Sequence, residues 1–344
     1  MARKLINLLW GIAVTLLALE LLLRLMPVLH GWENPPISAD NPVIRDYPGA
    51  SYTYSHDWDF RNHVDGHFNN LGFPSAPVNI HDPTIVIIGD SYVEAAMISP
   101  DERQDQVLAK IIRRPVTALG MANTSLPDYM VVADWAVHNL RVSALVFELS
   151  PGDLSESVEP RLRGYWYEPL GDALVLNHSA KFTVRNVLMK SRLFDYLYYN
   201  LRFSPQTMFK DWQHPQGAVF DEAQPTPGGD PQEAGISPLM QHSTKRFVSD
   251  ALILRGRGIP VVIVIDPNIQ NIYAGRSGNL SETQYVGQIA RTAGLQVLDL
   301  TQAFRRDYQT HGKMLDFGSV DVHWNARAHA VTAQALAALL GKGH

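Results

Sequence analysis

Short apolar runs alternate along the chain with longer segments in which apolar residues recur every three or four positions. The apolar runs predict buried strands at residues 84–88, 116–119, 144–149, 259–265 and 295–298. The segments between and after them predict helices at residues 102–112, 127–140, 239–255, 282–293 and 325–340, with another opening at 299–301. Strands that alternate with helices in this way predict a doubly wound parallel sheet.

The amino terminus carries the longest apolar segment. Two basic residues precede a run that ends at Leu29 and spans 25 positions, which is long enough to cross a bilayer. Glu20 and Arg24 are four residues apart, so they could pair on one face of a helix. The basic residues favour a cytoplasmic amino terminus, and no small-x-small cleavage site follows the run. We therefore predict a signal anchor at residues 1–30, over a cleaved signal peptide or a soluble amphipathic helix.

Two stretches interrupt the alternation of strands and helices. Residues 31–80 are rich in Pro, Asn, Asp, Tyr and His, which predicts a loop-rich lead-in. Residues 154–238 are too long for an ordinary connection in an α/β fold and contain aromatic clusters. We interpret them as an insertion over the carboxyl edge of the sheet, whose aromatics could stack on sugars or pack among themselves. The α/β domain then covers residues 81–344, insertion included.

Composition and charge limit the classes of function. A hydrophobic content of 46% and a charged content of 18% are typical of a globular protein. A net charge of −5 with 29 basic residues gives no sign of a nucleic-acid surface. The chain has no cysteine, which excludes disulfides, thiolate catalysis and Cys-ligated metals. Its histidines lack the spacing of a zinc site, so we predict neither a metal nor a cofactor.

The candidate chemistry begins where the first predicted strand ends. Gly89 allows a sharp strand-to-helix corner, which would expose the Ser91 hydroxyl at the carboxyl edge of the sheet. Asp90 or Ser91 could instead cap a helix, and we interpret Asp90 as a structural turn acid. Glu148 ends another buried strand and could serve the site, but an ion pair is the favoured interpretation.

A histidine near the other end of the chain could activate this serine. Asp321 and His323 lie just before the final helix, and histidine is the usual base for a serine nucleophile. A carboxylate must orient the imidazole, and Asp316 or Asp299 could do so in place of Asp321. His323 could also be a buried structural histidine. Donors for an oxyanion would come from the loops after the second and third strands.

These segments resemble the blocks of the SGNH (GDSL-like) hydrolase superfamily. Residues 89–94 are similar to its first block, residues 120–123 to its second and residues 321–325 to its last. The anchor with Glu20 and Arg24, and the turn at residues 70–73, resemble membrane-anchored members. The resemblance covers roughly residues 70–340 apart from the insertion. It implies a flavodoxin-like three-layer α/β/α sandwich with a parallel sheet, and esterase, lipase or O-acetyltransferase activity, mostly on carbohydrates.

The resemblance also assigns roles to individual residues. It implies a catalytic set of Ser91, His323 and Asp321. It implies oxyanion or substrate-binding roles at Gly120, Asn123 and Gly152.

Three departures from the family pattern bear on activity. Asn123 stands at the position of a glycine donor, and Gly152 at that of an asparagine. Losing a side-chain donor from an oxyanion hole typically costs about a hundred- to thousandfold in rate. The Asp-x-His spacing is shorter than the usual Asp-x-x-His. The shorter form is similar to the alginate O-acetylation proteins, in which it precedes the serine.

The sequence therefore predicts a membrane-anchored serine esterase or O-acyltransferase acting on acylated glycans of the envelope or exopolysaccharide. We expect a single pass through the inner membrane, a periplasmic catalytic domain, and polysaccharide-assembly proteins among the partners. One alternative is a catalytically weakened glycan-binding or assembly protein on the same fold. Another is a lipase or thioesterase.

Overall fold

The strands and helices of the protein follow the patterns of the sequence closely. The computed structural model describes residues 2–341 except 172, 181–187, 189, 202–234, 277–280 and 319–320. In chain order the strands are β1 (Ser51–His56), β2 (Arg61–His67), β3 (Thr84–Gly89), β4 (Val116–Gly120), β5 (Val142–Leu149), β6 (Arg163–Leu170), β7 (Ala173–Ala180), β8 (Val261–Ile265) and β9 (Gln296–Asp299). The helices are α1 (Ala2–Leu23), α2 (Ser91–Glu94), α3 (Gln104–Ile112), α4 (Leu126–Asn139), α5 (Asp153–Glu156), α6 (Arg192–Asp195), α7 (Pro238–Gly256), α8 (Ile269–Tyr273), α9 (Glu282–Thr292), α10 (Thr301–His311) and α11 (Ala326–Leu340).

The five predicted strands form one parallel sheet with the order β4-β3-β5-β8-β9. In flavodoxin-like folds the same order places ligands beside the first strand. One apolar core lies between the sheet and α4, α7 and α9, and a second lies between the sheet and α3, α10 and α11. The predicted flavodoxin-like three-layer α/β/α fold is therefore confirmed. Because both faces are covered, β3, β4 and β8 are buried along their whole length, which explains their unbroken apolar runs.

The corner after β3 depends on a close approach between α2 and β4. Gly89 and Gly120 pair in register at the carboxyl ends of β3 and β4. A Cβ at Gly120 would lie 2.5 Å from the backbone nitrogen of Glu94. Only glycine at position 120 therefore allows α2 to pack directly against the carboxyl end of β4.

The amino-terminal helix α1 is apolar and exposed. It is long and apolar enough to cross a membrane by length and composition alone, a test that a signal sequence also passes. Glu20 near its end pairs with Arg24, as expected, at 2.9 Å. The Glu20 carboxylate also accepts hydrogen bonds from the Ser191 hydroxyl at 2.8 Å and from the Leu193 amide at 2.9 Å. These bonds join the end of α1 to the start of α6.

The lead-in and the insertion each contain an antiparallel hairpin that the sequence patterns did not predict. In the lead-in, β1 pairs with β2, and Tyr52 and Phe68 pack there against Trp32. In the insertion, β6 pairs with β7. The aromatic side chains at residues 165–167 of β6 are buried. Residues 172, 181–187, 189 and 202–234 of the insertion lie outside the described residues.

Glu148 is a buried acid of the central sheet that forms no ion pair among the described residues, so the expected ion pair is wrong. Its carboxyl group accepts a hydrogen bond from the Gln104 amide at 2.8 Å. Burial raises the pKa of Glu148 to about 8; the Gln104 bond opposes that rise, and the charge of Asp90 adds to it. The native state therefore holds the proton of Glu148 more tightly than the unfolded chain does.

Replacing Glu148 by glutamine is expected to flatten the pH dependence of stability. With the wild type, the free energy of unfolding should fall as the pH rises from about 4.5, the value for an unfolded glutamate, to about 8. Glu148→Gln removes this titration, so its stability relative to wild type should increase across that window by roughly a few kcal/mol. Denaturant unfolding at several pH values measures the difference. The exposed Glu102→Gln is the matched control, and a Glu148→Gln curve parallel to wild type would contradict the expectation.

Candidate active site

Ser91 lies at the corner between β3 and α2, as the sequence predicted. Asp90 is the cap of α2, because its Oδ1 accepts a hydrogen bond from the backbone nitrogen of Tyr92 at 3.0 Å. Its other oxygen accepts from the Ser150 hydroxyl at 2.6 Å. Since Asp90 serves the turn, the Ser91 hydroxyl is left for another partner.

That partner is His323. Its Nε2 lies 2.8 Å from Ser91 Oγ, and its Nδ1 lies 2.5 Å from Asp321 Oδ1. Of the three aspartates that could orient the imidazole, the structure places Asp321 there, while Asp316 and Asp299 hydrogen-bond elsewhere. The result is a continuous serine–histidine–aspartate chain of hydrogen bonds between opposite ends of the sequence.

The short Asp-x-His spacing is accommodated by a local turn. Asp321 Oδ1 also accepts a hydrogen bond from the backbone nitrogen of His323 at 3.1 Å, two residues further on. Aspartate commonly makes this contact in turns. The same carboxylate oxygen therefore contacts both the backbone and the ring of His323, so the family's extra residue is not needed to bring the two together.

Tyr54 is a member of the site that the sequence did not reveal. Its hydroxyl donates a hydrogen bond to Asp321 Oδ2 at 2.8 Å. Tyr54 belongs to β1, in the lead-in, and no motif or spacing connects it with Asp321. The lead-in therefore orients the carboxylate from the side opposite His323.

The surroundings of the site stabilise an ionised Asp321 and make the imidazole of His323 more basic. Burial disfavours both charged forms. For Asp321 the hydrogen bonds from His323 and Tyr54 outweigh burial and hold its pKa below the usual range. For His323 the hydrogen bond and charge of Asp321, with the charges of Asp90 and Glu94, outweigh burial and raise its pKa. An imidazole poised in this way can take the proton of a serine that attacks an acyl group.

The imidazole ring is held in place by aromatic packing. The ring of Tyr92 lies 4.9 Å from that of His323 and 5.6 Å from that of Trp324, between centroids. Trp324 is fully buried, and its Nε1 donates a hydrogen bond to Asp266 at 3.2 Å. The tryptophan that follows His323 therefore fixes the loop in the core of the sheet.

Asn123 has a left-handed backbone conformation, which fits the glycine that the SGNH resemblance expects at this position. Its φ is +60°, a left-handed value that glycine adopts freely and asparagine tolerates better than most residues. Asn123 lines the same cleft as Ser91 and His323. Neither Gly120 nor Gly152 is among the described residues that line it. Gly120 is buried against α2, and Gly152 precedes α5 with a φ of +97°.

Glu94 ties the loop after β4 to the lead-in. One carboxyl oxygen accepts from the Trp32 indole at 2.8 Å, and the other accepts from the backbone nitrogen of Ala122 at 3.0 Å. Burial raises the pKa of Glu94 to about 7, although these two hydrogen bonds lower it. The Ala122 amide is therefore occupied, while the next residue, Asn123, faces the cleft.

The cleft over Ser91 has a volume of about 1270 Å³ and mixes aromatic with charged side chains. It extends from the Ser91 hydroxyl to Arg24, just beyond the end of α1. Its aromatic lining comes from the lead-in and the insertion, as Trp32, Tyr47, Tyr54, Tyr198 and Tyr199. Among the described residues no group of three His, Asp or Glu side chains is placed to hold a metal ion.

Comparison with known proteins gives similarity at the level of structure. No protein-family model matches the sequence, and no curated protein matches it. Similar solved structures include a lipolytic G-D-S-L family member from Veillonella parvula DSM 2008, with 12% identity and a TM-score of 0.39 over 76% of this chain and 99% of that one. An acetylxylan esterase from Geobacillus stearothermophilus has 12% identity and a TM-score of 0.40 over 77% and 97% of the two chains. A two-domain esterase active on acetylated mannans has 11% identity and a TM-score of 0.41 over 76% of this chain and 50% of its own.

The class of the fold is evident from the chain's own architecture. The parallel sheet carries the serine of the first block and the histidine of the last block at one edge, within hydrogen-bond distance. This is the predicted arrangement, with Ser91 and His323 at the carboxyl edge of a parallel sheet.

Proposed function

We propose that the protein is a serine esterase or O-acyltransferase that acts on acylated glycans. The observation that carries this proposal is the hydrogen-bonded chain from Ser91 through His323 to Asp321, with distances of 2.8 Å and 2.5 Å. A serine in this arrangement is a nucleophile toward esters.

The reaction follows from the positions of the groups. His323 takes the proton of Ser91 as Oγ attacks the acyl carbonyl carbon. The backbone amides of Ser91 and Asn123 stabilise the negative oxygen of the tetrahedral intermediate. His323 then gives the proton to the departing sugar oxygen, which leaves an acyl-serine. Water completes hydrolysis by attacking the acyl-serine, and the hydroxyl of a second sugar completes transfer.

The lining of the cleft supports a glycan as the substrate. Aromatic rings stack on the apolar faces of sugars, and charged or amide side chains bind their hydroxyls. The cleft offers both, with Trp32 and Tyr198 among the rings and Asn34 and Arg163 among the polar groups. Its volume of about 1270 Å³ leaves room for more than one sugar unit.

The proposal includes a position at the inner membrane, with the domain in the periplasm. It is supported by the exposed apolar surface of α1 and by the basic residues Arg3 and Lys4 in its first turn. The assembly of an envelope polysaccharide or exopolysaccharide would bring acylated glycans to this surface.

A non-catalytic glycan-binding protein is the second candidate function. The observation that favours it is Gly152, which leaves the loop after β5 without the family's side-chain donor. Binding would then use the same cleft, with Ser91 and His323 as contacts rather than catalysts.

Labelling with a fluorophosphonate separates the two functions. The full-length protein in detergent is expected to be labelled, and His323→Ala is expected to lose the label because the serine is no longer activated. His138→Ala, a change on the exposed face of α4, is the matched control and should be labelled like wild type. Folded wild-type protein that stays unlabelled and releases no acetate from acetylated xylan or mannan would favour the binding function.

A further inference from the structure

We propose that Arg161 supplies the side-chain donor for the oxyanion that Gly152 cannot provide. This inference rests on the proposed esterase or acyltransferase function. It assigns a catalytic role to a residue of the insertion, outside the three sequence blocks.

Arg161 lies beside the loop that carries the other oxyanion donor. Its Nη1 donates a hydrogen bond to the carbonyl oxygen of Asn123 at 3.0 Å. Its side chain lines the cleft that contains Ser91 and His323, although only 12% of it is exposed. A guanidinium group therefore stands at the edge of the site, against the backbone of the residue proposed to bind the oxyanion.

Two carboxylates, those of Asp128 and Glu156, hold the guanidinium group in place. Arg161 Nη1 also contacts Asp128 Oδ2 at 3.3 Å, and Nη2 donates to Glu156 Oε2. Asp128 is fully buried and caps α4 through the backbone nitrogen of Ser125, so its position is set by the fold. An arginine has five N–H groups. These three contacts use three of them and leave two for a substrate.

Glu156 connects Arg161 with the position of the missing asparagine. A Cβ built at Gly152 would lie 3.5 Å from Glu156 Oε1. The carboxylate that borders the space beside Gly152 is thus the one that holds Arg161. Through its contacts with Glu156 and with Asn123, Arg161 connects the region after β5 with the loop after β4. In the proposed reaction these two loops surround the tetrahedral intermediate.

A fixed positive charge in this place stabilises the transition state more than the ground state. Negative charge develops on the carbonyl oxygen only as Ser91 attacks, so a preoriented cation lowers the barrier to that step. Removing one donor of this kind typically reduces kcat by about a hundred- to thousandfold. The expected loss therefore falls on kcat rather than on KM.

Steady-state hydrolysis of 4-nitrophenyl acetate by the full-length protein in detergent tests the role. This ester has no sugar, so glycan binding does not enter the measurement. Arg161→Met, which has no hydrogen-bond donor, should lower kcat by about a hundredfold with KM nearly unchanged. Arg161→Lys should lie between wild type and Arg161→Met, because it keeps the charge but not the planar fork. Arg246→Met, which breaks an exposed ion pair on α7, is the matched control and should keep wild-type kcat.

The outcomes separate this inference from the proposed function. Wild-type kcat in folded Arg161→Met, or a loss confined to KM, would overturn the role of Arg161 and leave the esterase proposal intact. A wild-type protein without hydrolysis that depends on Ser91 would overturn both. If thermal unfolding shows that Arg161→Met does not fold, Arg161→Lys decides. A kcat at least about tenfold below wild type supports the role, and a smaller loss overturns it.

Discussion

Replacing Ser91 by alanine is expected to lower ester hydrolysis by on the order of a million-fold. The reason is that Ser91 Oγ is the atom that attacks the acyl carbon in the proposed reaction, and alanine has no nucleophile. The remaining groups, the oxyanion donors and the cleft, would still bind substrate. Hydrolysis of 4-nitrophenyl acetate and release of acetate from acetylated xylan measure the change.

The same substitution should leave the fold intact. Asp90, not Ser91, caps α2, so the helix start keeps its hydrogen bond to Tyr92. The midpoint of thermal unfolding should therefore match wild type. Ser38→Ala, at an exposed position outside the cleft, is the control for the loss of a hydroxyl and should retain activity. Ser91→Ala with wild-type activity would exclude a serine mechanism.

Replacing Asp321 by asparagine is expected to reduce kcat by about ten-thousandfold. An asparagine can present its NH₂ group to Nδ1 of His323, which favours the tautomer with a proton on Nε2. A histidine in that tautomer cannot accept the proton of Ser91. Asp299→Asn is the matched control because Asp299 was an alternative partner and makes no contact with the imidazole. Equal losses in the two variants would contradict the assignment of Asp321.

The Asp321→Asn variant is also expected to change the pH dependence of ester hydrolysis. Hydrolysis needs neutral His323, so the wild-type rate should fall as the pH drops through the pKa of His323, which lies above the ordinary value of about 6.5. Asp321→Asn removes the negative charge that raises this pKa. The acid limb of the kcat/KM profile should therefore move to lower pH in Asp321→Asn, and a shift to higher pH would contradict the argument.

The sequence predicted the sheet and the positions of the proposed serine and histidine because they follow from local patterns. The residues around Gly89 and Ser91 combine a buried strand with a corner, and β3 ends there as expected. Even the short Asp-x-His spacing proved compatible with contact, since Asp321 bonds to the backbone nitrogen two residues on.

Other parts of the site could not be predicted because they come from segments whose apolar residues do not follow the period of a helix or of a buried strand. Tyr54 lies in a hairpin whose residues alternate between polar and aromatic without a long apolar face, and Arg161 lies just before the hairpin of the insertion. Both reach the site across many residues of sequence, to Asp321 and to the Asn123 loop. The ion pair predicted for Glu148 was also wrong. Its partner is the uncharged side-chain amide of Gln104, which no pattern of charged residues in the sequence indicates.

In the proposed membrane position of α1, the Glu20 carboxylate would set the distance between the domain and the bilayer. Because it is bonded to Ser191 and Leu193, Glu20 would lie at the water boundary together with the domain. Between Lys4 and Glu20 lie residues 5–19, which span about 22 Å as a helix, less than the roughly 30 Å of a hydrocarbon core. This hydrophobic mismatch would draw the domain down onto the lipid headgroups or thin the bilayer beneath it. The end of the cleft near Arg24 would then open at headgroup level, within reach of molecules that remain attached to lipid.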